Sequence, residues 1–130
     1  MLLVFPTLVF SQAKAIKIVF DVTSKDTLTH QAVLRHVAGM AEAYPDALLE
    51  VVIYGGAWPM VVRGKSSRDE VVAQLASQKN ISFKICSITL ERFKAETSKL
   101  VNGVHVVPDG IIEIVTRQNE GWAYIKESHN

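Results

Sequence analysis

The sequence has little cysteine and little histidine. Its 130 residues include one cysteine, Cys86, and four histidines. A single cysteine excludes an intrachain disulfide and a zinc site built from several cysteines. No HExxH pair occurs, and His30 and His36 are six residues apart, which puts them on different faces of a helix. We therefore expect no metal.

The sequence also lacks an excess of either charge. It has 14 basic and 13 acidic residues, for a formal net charge of +1. Proteins that bind nucleic acid through its phosphates usually carry a basic excess, so no nucleic-acid partner is expected. GxGxxG, Walker and GxSxG motifs are absent too. This excludes the usual phosphate loops and the nucleophile elbow of hydrolases, and we expect no cofactor.

Long apolar runs are absent apart from the amino end. The run from Met1 to Phe10 is too short to span a bilayer as a helix, so no stable membrane span is expected. Ser11-Gln12-Ala13 puts small residues where a secretory signal peptide is cleaved, although no Lys or Arg precedes the run. We expect residues 1–13 to be a signal-peptide remnant of an exported, periplasmic protein. The alternative is an extra edge strand or buried arm in a cytoplasmic protein.

What the sequence does contain is an alternation of strand and helix patterns from about residue 14 to residue 130. Of all residues, 48% are hydrophobic, enough for one packed core. Short β-branched runs predict strands at 15–21, 48–54, 81–86, 104–107 and 122–125. Helical patterns begin near Thr27, Ser67, Ser87 and Pro108. This order predicts one α/β domain, with a mostly parallel sheet of about five strands flanked by helices on both faces.

Several local features are predicted within these elements. Ser67 and Glu70 have the spacing of a capping box. Ser87 is expected to cap a helix that runs to about Lys99. The last helix is expected to bury four apolar residues, namely Ile111, Ile112, Ile114 and Val115. Residues 57–63 fit either a short helix or an apolar loop.

A binding edge is expected at the carboxyl ends of the strands, where open α/β sheets bind their ligands. Residues that follow the predicted strands are the candidates: Asp21, Gly55, Gly56, Trp58, Cys86, Ser87, Pro108 and Asp109. The glycine pair suits either a plain turn or close approach to a ligand. Trp58 with Pro59–Val62 is either a lid or a subunit interface, and the interface is favoured because a small domain has difficulty covering such a run.

Cys86 is the sharpest chemical signal. It is predicted to lie where a strand gives way to a helix, and the helix dipole there would lower the thiol pKa and favour the reactive thiolate. The alternative is a buried, inert cysteine that packs as a small hydrophobe.

Several segments resemble the DsrE/DsrF-like family of small sulfur-metabolism proteins. These are Lys17–Asp21, Val51–Gly56, Phe83–Leu90, Val104–Val115 and Glu120–Ile125. The resemblance implies a three-layer, flavodoxin-like (DsrE-like) fold and homo-oligomers, commonly trimers or hexamers. It also implies a cysteine that carries a persulfide between partner proteins, and Cys86 matches that position.

Two functions follow from these features. The first is a sulfur carrier or sulfurtransferase-like protein in which Cys86 takes sulfur from a donor protein and passes it to an acceptor. The second is a non-enzymatic oligomeric module whose carboxyl edge binds a small ligand or a partner, with Cys86 only lining the site.

Overall fold

The fold is a parallel sheet of five strands. The computed structural model describes residues 1–6 and 15–128. The strands are β1 (Lys17–Val22), β2 (Leu48–Ile53), β3 (Ile81–Cys86), β4 (Val104–Val107) and β5 (Ala123–Lys126). They pair in the order β4-β3-β2-β1-β5, and every pair is parallel. The predicted three-layer α/β fold, flavodoxin-like with helices flanking the sheet, is confirmed.

The helices lie on both faces of this sheet. They are α1 (Thr27–Ala43), α2 (Asp69–Ala76), α3 (Ser87–Arg92) and α4 (Gly110–Asn119), with 3-10 turns at Gly55–Val61 and Thr97–Lys99. The chain moves outward along the sheet from β1 to β4 and then crosses back to β5 on the other side of β1. Because crossovers are right-handed, this reversal puts α4 on the face opposite α1, α2 and α3.

The two faces have cores of very different size. Side chains such as Phe20, Val51 and Phe83 form a large core with α1, α2 and α3. On the opposite face, the described core contains only Val19, Val52 and Ile114, with Tyr54 and Trp122 packed against it. Apolar burial therefore holds α4 less firmly than it holds the helices on the other face.

The capping box predicted for α2 is wrong. The helix begins at Asp69, its N-cap is Arg68, and no side chain caps it. The Ser67 hydroxyl is buried without a hydrogen-bond partner, whereas the neighbouring Ser66 hydroxyl accepts from the Arg68 N–H at 3.2 Å. The serine one position earlier therefore makes the local bond, and Ser67 does not cap the helix.

The helix after β3 is shorter than predicted. It ends at Arg92 instead of about Lys99, and Cys86 rather than Ser87 holds the N-cap position. Lys94 has a φ of +51°, in the left-handed region, and the Ala95 N–H closes the turn on the Leu90 carbonyl at 2.9 Å. This left-handed turn stops the helix.

The prediction that four apolar residues of the last helix are buried is also wrong. Of the four, Ile114 is buried, while Ile111, Ile112 and Val115 are 57%, 58% and 44% exposed. A single helix on a sheet face buries one stripe, and here Gly110 and Ile114 form it. The other three lie together on an outer flank, called the α4 flank below.

The apolar run from Trp58 to Val62 does not need a second subunit to cover it, contrary to the reason given for an interface there. Ala57, Met60 and Val61 are fully buried in the chain's own larger core. Trp58 stacks on Phe93 with ring centroids 5.8 Å apart. The run is covered within one chain because the 3-10 turn folds it back beneath α3.

The predicted cleavage site at Ser11–Ala13 lies outside the described residues, so the export prediction stays a prediction. Residues 1–6 are exposed and have no regular secondary structure. Within the described parts of the chain, none of the helices has the length and apolar character needed to cross a bilayer.

Candidate functional site

The candidate site lies where β1, β2 and β3 end, on the side of the sheet that carries α4. Cys86 is the last residue of β3, and alternation along the strand turns it away from the large core that holds Phe83 and Ile85. Its side chain is 5% exposed. The thiol therefore lies just beneath the edge of the sheet rather than open at its mouth.

The cover over Cys86 consists of Tyr54 and the start of α4. A Cβ built on Gly110 would lie 3.2 Å from the Cβ of Cys86 and 3.3 Å from the Cβ of Tyr54. Helix α4 can begin at this place because its first residue is a glycine. The ten-residue helix that presents its positive end near Cys86 is thus α4, whereas the sequence pointed to the helix that follows Cys86 directly.

Asp21 anchors a polar network beside this cover. The register pairs Asp21 of β1 with Lys126 of β5, so both side chains lie on the α4 face. The Tyr124 hydroxyl donates to Asp21 Oδ2 at 2.5 Å. Lys126 Nζ donates to the Thr23 hydroxyl at 2.7 Å and lies 3.4 Å from Asp21 Oδ1. Oδ1 is buried and accepts no hydrogen bond from the described residues.

The two tyrosines of this edge are held in their protonated form. Burial raises the pKa of Tyr54, and the negative charge of Asp21 raises it further. The hydrogen bond to Asp21 is the main cause that raises the pKa of Tyr124 to about 12. Both hydroxyls are therefore hydrogen-bond donors at neutral pH.

The glycine pair joins the loops of this edge. Gly55 has a φ of +58°, and its N–H donates to the Thr89 hydroxyl at 2.9 Å. A Cβ on Gly56 would lie 3.3 Å from the Thr23 carbonyl oxygen. Contacts within the chain account for both glycines, which favours the turn over the ligand-binding interpretation.

The other predicted residues lie around the site in different roles. Trp58 belongs to the edge of the larger core. Ser87 is the first residue of α3, and Pro108 is exposed. Asp109 caps α4, since its Oδ1 accepts from the N–H groups of Ile111 and Ile112 at 2.9 and 3.4 Å.

Sequence reasoning missed Tyr54, Gly110, Tyr124 and Lys126. Tyr54 lies two residues after Val52, so alternation puts both on the same face of the sheet. This is the face to which Cys86 also points. Gly110 had a weaker signal, since it was only a residue near the predicted start of the last helix. Tyr124 and Lys126 required the pairing of β5 with β1, which local patterns do not specify.

The chemistry that this arrangement can perform is that of a thiol nucleophile or a small polar pocket. In the described portion of the chain, no three His, Cys, Asp or Glu side chains are grouped to hold a metal ion. What the edge offers is one thiol, two hydroxyl donors, one carboxylate and one ammonium group. This set suits binding and group transfer at sulfur.

Comparison with known proteins gives structural matches. No family model matches the sequence, and no curated protein matches it. YchN from E. coli has a TM-score of 0.72 at 17% identity, covering 88% of this chain and 99% of YchN. BT1422 from Bacteroides thetaiotaomicron, of unknown function, has a TM-score of 0.70 at 14% identity, covering 88% and 99%. These two likenesses show the fold alone.

MTH1491 from Methanobacterium thermoautotrophicum, a protein of unknown function, is similar in sequence as well as in fold. Its TM-score is 0.79 at 30% identity, and the match covers 85% of this chain and 98% of MTH1491. The chain belongs to the same protein family as MTH1491.

Proposed function

We propose that this protein is a sulfur carrier of the DsrE/DsrF type, in which Cys86 holds sulfane sulfur as a persulfide. One observation carries the proposal: Cys86 ends β3 at the carboxyl edge of the parallel sheet, packed against the first residue of α4. The fold supports it, because YchN, which shares the fold, is DsrE-like.

The transfer consists of two exchanges at sulfur. The Cys86 thiolate attacks the outer sulfur of a donor persulfide, R–S–SH. The donor S–S bond breaks, R–S⁻ leaves, and Cys86 becomes Cys86–S–SH. An acceptor thiolate R′–S⁻ then attacks the outer sulfur of that group, which yields R′–S–SH and returns the Cys86 thiolate. No external oxidant or reductant is needed.

The surrounding groups suit this chemistry. The partial positive charge at the start of α4 favours an anionic sulfur beside Gly110. Tyr54 stays protonated, so its hydroxyl is a donor rather than a second negative charge. Cys86 is 5% exposed and α4 packs closely against its Cβ at Gly110, so little space is left around its side chain. The outer sulfur must therefore lie toward the edge, or α4 must shift.

A non-enzymatic binding module is the second candidate, and the burial of two groups favours it. Cys86 and Asp21 are each 5% exposed, and Asp21 Oδ1 accepts no hydrogen bond from the described residues. A small ligand with an N–H or O–H group would satisfy that oxygen. In that case Cys86→Ser would leave ligand binding unchanged.

We also propose that the protein is an exported homo-oligomer, a trimer or hexamer. The α4 flank supports assembly, because Ile111, Ile112 and Val115 form an exposed apolar surface on a helix whose other side is already packed.

Sulfur loading tests the carrier proposal. The folded protein is treated with inorganic polysulfide under exclusion of oxygen, and its intact mass is measured before and after. We expect a gain of one sulfur atom that maps to Cys86 and is absent in Cys86→Ser. Sulfur loading that persists in Cys86→Ser would contradict the assignment of the carrier residue.

A further inference from the structure

A second cluster of ionisable groups lies under α4, away from the edge described above. Its centre is Glu50, which is on β2 and is 1% exposed. Glu50 Oε2 accepts from Arg117 Nε at 3.1 Å, and Oε1 accepts from the Ser82 hydroxyl at 3.2 Å. Helix α4 is therefore tied to the middle of the sheet by a buried ion pair.

The same guanidinium group serves three carboxylates. Glu113 Oε1 lies 3.3 Å from Arg117 Nη2, and Glu120 Oε2 lies 2.9 Å from Nη1. Nε and Nη2 form one edge of the planar guanidinium fork, so Glu50 and Glu113 each place an oxygen on the same edge. The two carboxylates share one edge of a single guanidinium group and one of them is fully buried, so they do not both ionise easily.

The neighbouring strands provide no further compensation. Lys17 and Lys84 lie on this face of the sheet, next to β2, but neither is within ion-pair distance of Glu50 in the described structure. His105 on β4 and Tyr124 on β5 lie farther out on the same face. Burial raises the pKa of Glu50 and the Glu113 carboxyl raises it further, while Arg117 opposes both.

We propose that Glu50 and Glu113 hold one proton between them, and that this proton keeps α4 seated on the sheet and over Cys86. Ile114 is the one apolar side chain that α4 buries, so the polar cluster supplies a large share of its attachment. Losing the proton leaves two negative charges facing each other beneath the helix. The role of α4 as the cover of Cys86 rests on the proposed sulfur-carrier function, whereas the shared proton does not.

The direction of the pH effect follows from linkage. The seated state binds the proton more tightly than the open state, in which the Glu50 carboxyl returns to its ordinary pKa. The stabilisation is fully present below the ordinary Glu pKa and is lost as the pH rises through the higher pKa of the seated state. Opening of α4 should therefore increase about tenfold for each pH unit between those two values.

Hydrogen exchange of the α4 amides tests this directly. The exchange of residues 114–119, corrected for its intrinsic pH dependence, is measured from about pH 5 to about pH 8, the range above the ordinary Glu pKa. We expect opening to rise with pH in the native protein and to change less than about twofold in Glu50→Gln, which keeps the shape but cannot ionise. Equal pH dependence in the two proteins would overturn the proposal.

Two further variants make the result specific. Glu120→Gln removes a carboxyl that is 50% exposed and binds the other side of the guanidinium, so it should keep the native pH dependence. Glu113→Gln should reduce the pH dependence of α4 opening, and it replaces Glu50→Gln in the test if that variant does not fold. All proteins are compared at one concentration, so that any stabilisation of α4 by a second copy of the chain is the same in each.

Access to the thiol gives the second readout. The ratio of the Cys86 alkylation rate in the native protein to that in Glu50→Gln should rise with pH, since the two proteins share the same thiol. If hydrogen exchange shows that α4 opens with rising pH but the ratio of the Cys86 alkylation rates stays constant, α4 is not the cover of Cys86. If α4 opens in a pH-dependent way but the protein never loads sulfur, the proposed sulfur-carrier function is wrong and the proposed shared proton is still supported.

Discussion

At the scale of single residues, the site depends on a glycine. The first residue of α4 must lack a side chain, because a Cβ at position 110 would meet Cys86 and Tyr54 at 3.2 and 3.3 Å. Both contacts are tighter than ordinary van der Waals distances, and both partners are held by neighbouring elements. Gly110 therefore determines how closely α4 approaches the thiol.

We expect Gly110→Ala to lower the free energy of unfolding by about 1–3 kcal/mol, the usual range for overpacking a well-filled site. Gly39→Ala is the matched control, because position 39 lies in α1 and a Cβ there meets nothing within 4 Å. That change should stabilise the protein by up to about 1 kcal/mol through helix propensity. Urea unfolding of both variants measures the difference, and equal effects would contradict the packing argument.

At the scale of elements, α4 differs from the helices on the other face. It buries Gly110 and Ile114, is tied to the sheet through Arg117, and leaves an apolar flank exposed. An exposed flank of this kind on a helix usually marks an interaction surface. We infer that a second copy of the chain covers it.

We expect the paired change Ile111→Lys with Val115→Lys to reduce the oligomeric state, with little effect on the stability of the single chain. Both side chains are exposed, so the new charges disturb only the assembled surface. Leu28→Lys, at an exposed apolar residue of α1 on the other face of the sheet, should leave assembly unchanged. Sedimentation velocity reports the outcome, and an unchanged oligomer in the paired variant would exclude this flank as the interface.

Element order was readable from the sequence because buried parallel strands are continuous apolar runs, as in β1 and β2. Lengths and faces were harder to predict. The pattern did not show the left-handed turn at Lys94 that ends α3, and helical periodicity in α4 could not tell a buried stripe from an exposed flank. Both depend on how many elements share a face, which is a tertiary property.

The site was only partly predictable for a similar reason. Cys86 and Asp21 were found because each lies near the end of a readable strand. Tyr124 and Lys126 reach Asp21 only because the chain returns to pair β5 with β1. Glu50 interrupts an apolar strand, and its partner Arg117 on α4 is 67 residues further along the chain. Such partners are far apart in sequence, and no local pattern brings them together.

At the scale of the whole molecule, one sheet edge combines a thiol, two hydroxyl donors and an ion pair. The sheet sets their spacing, and α4 sets their access to solvent. Membership of the MTH1491 family and the likeness to YchN agree with this architecture. We infer that reagents reach Cys86 in the native state although its side chain is 5% exposed.

The most direct test of that claim is the rate at which iodoacetamide alkylates Cys86 in the folded protein, compared with the rate in urea at the same pH. We predict that the folded protein reacts at neutral pH, through openings of α4 much smaller than global unfolding, so that the rate does not follow the free energy of unfolding across destabilised variants. A native thiol that reacts only as fast as the whole chain unfolds would contradict the account and leave Cys86 as a packing residue.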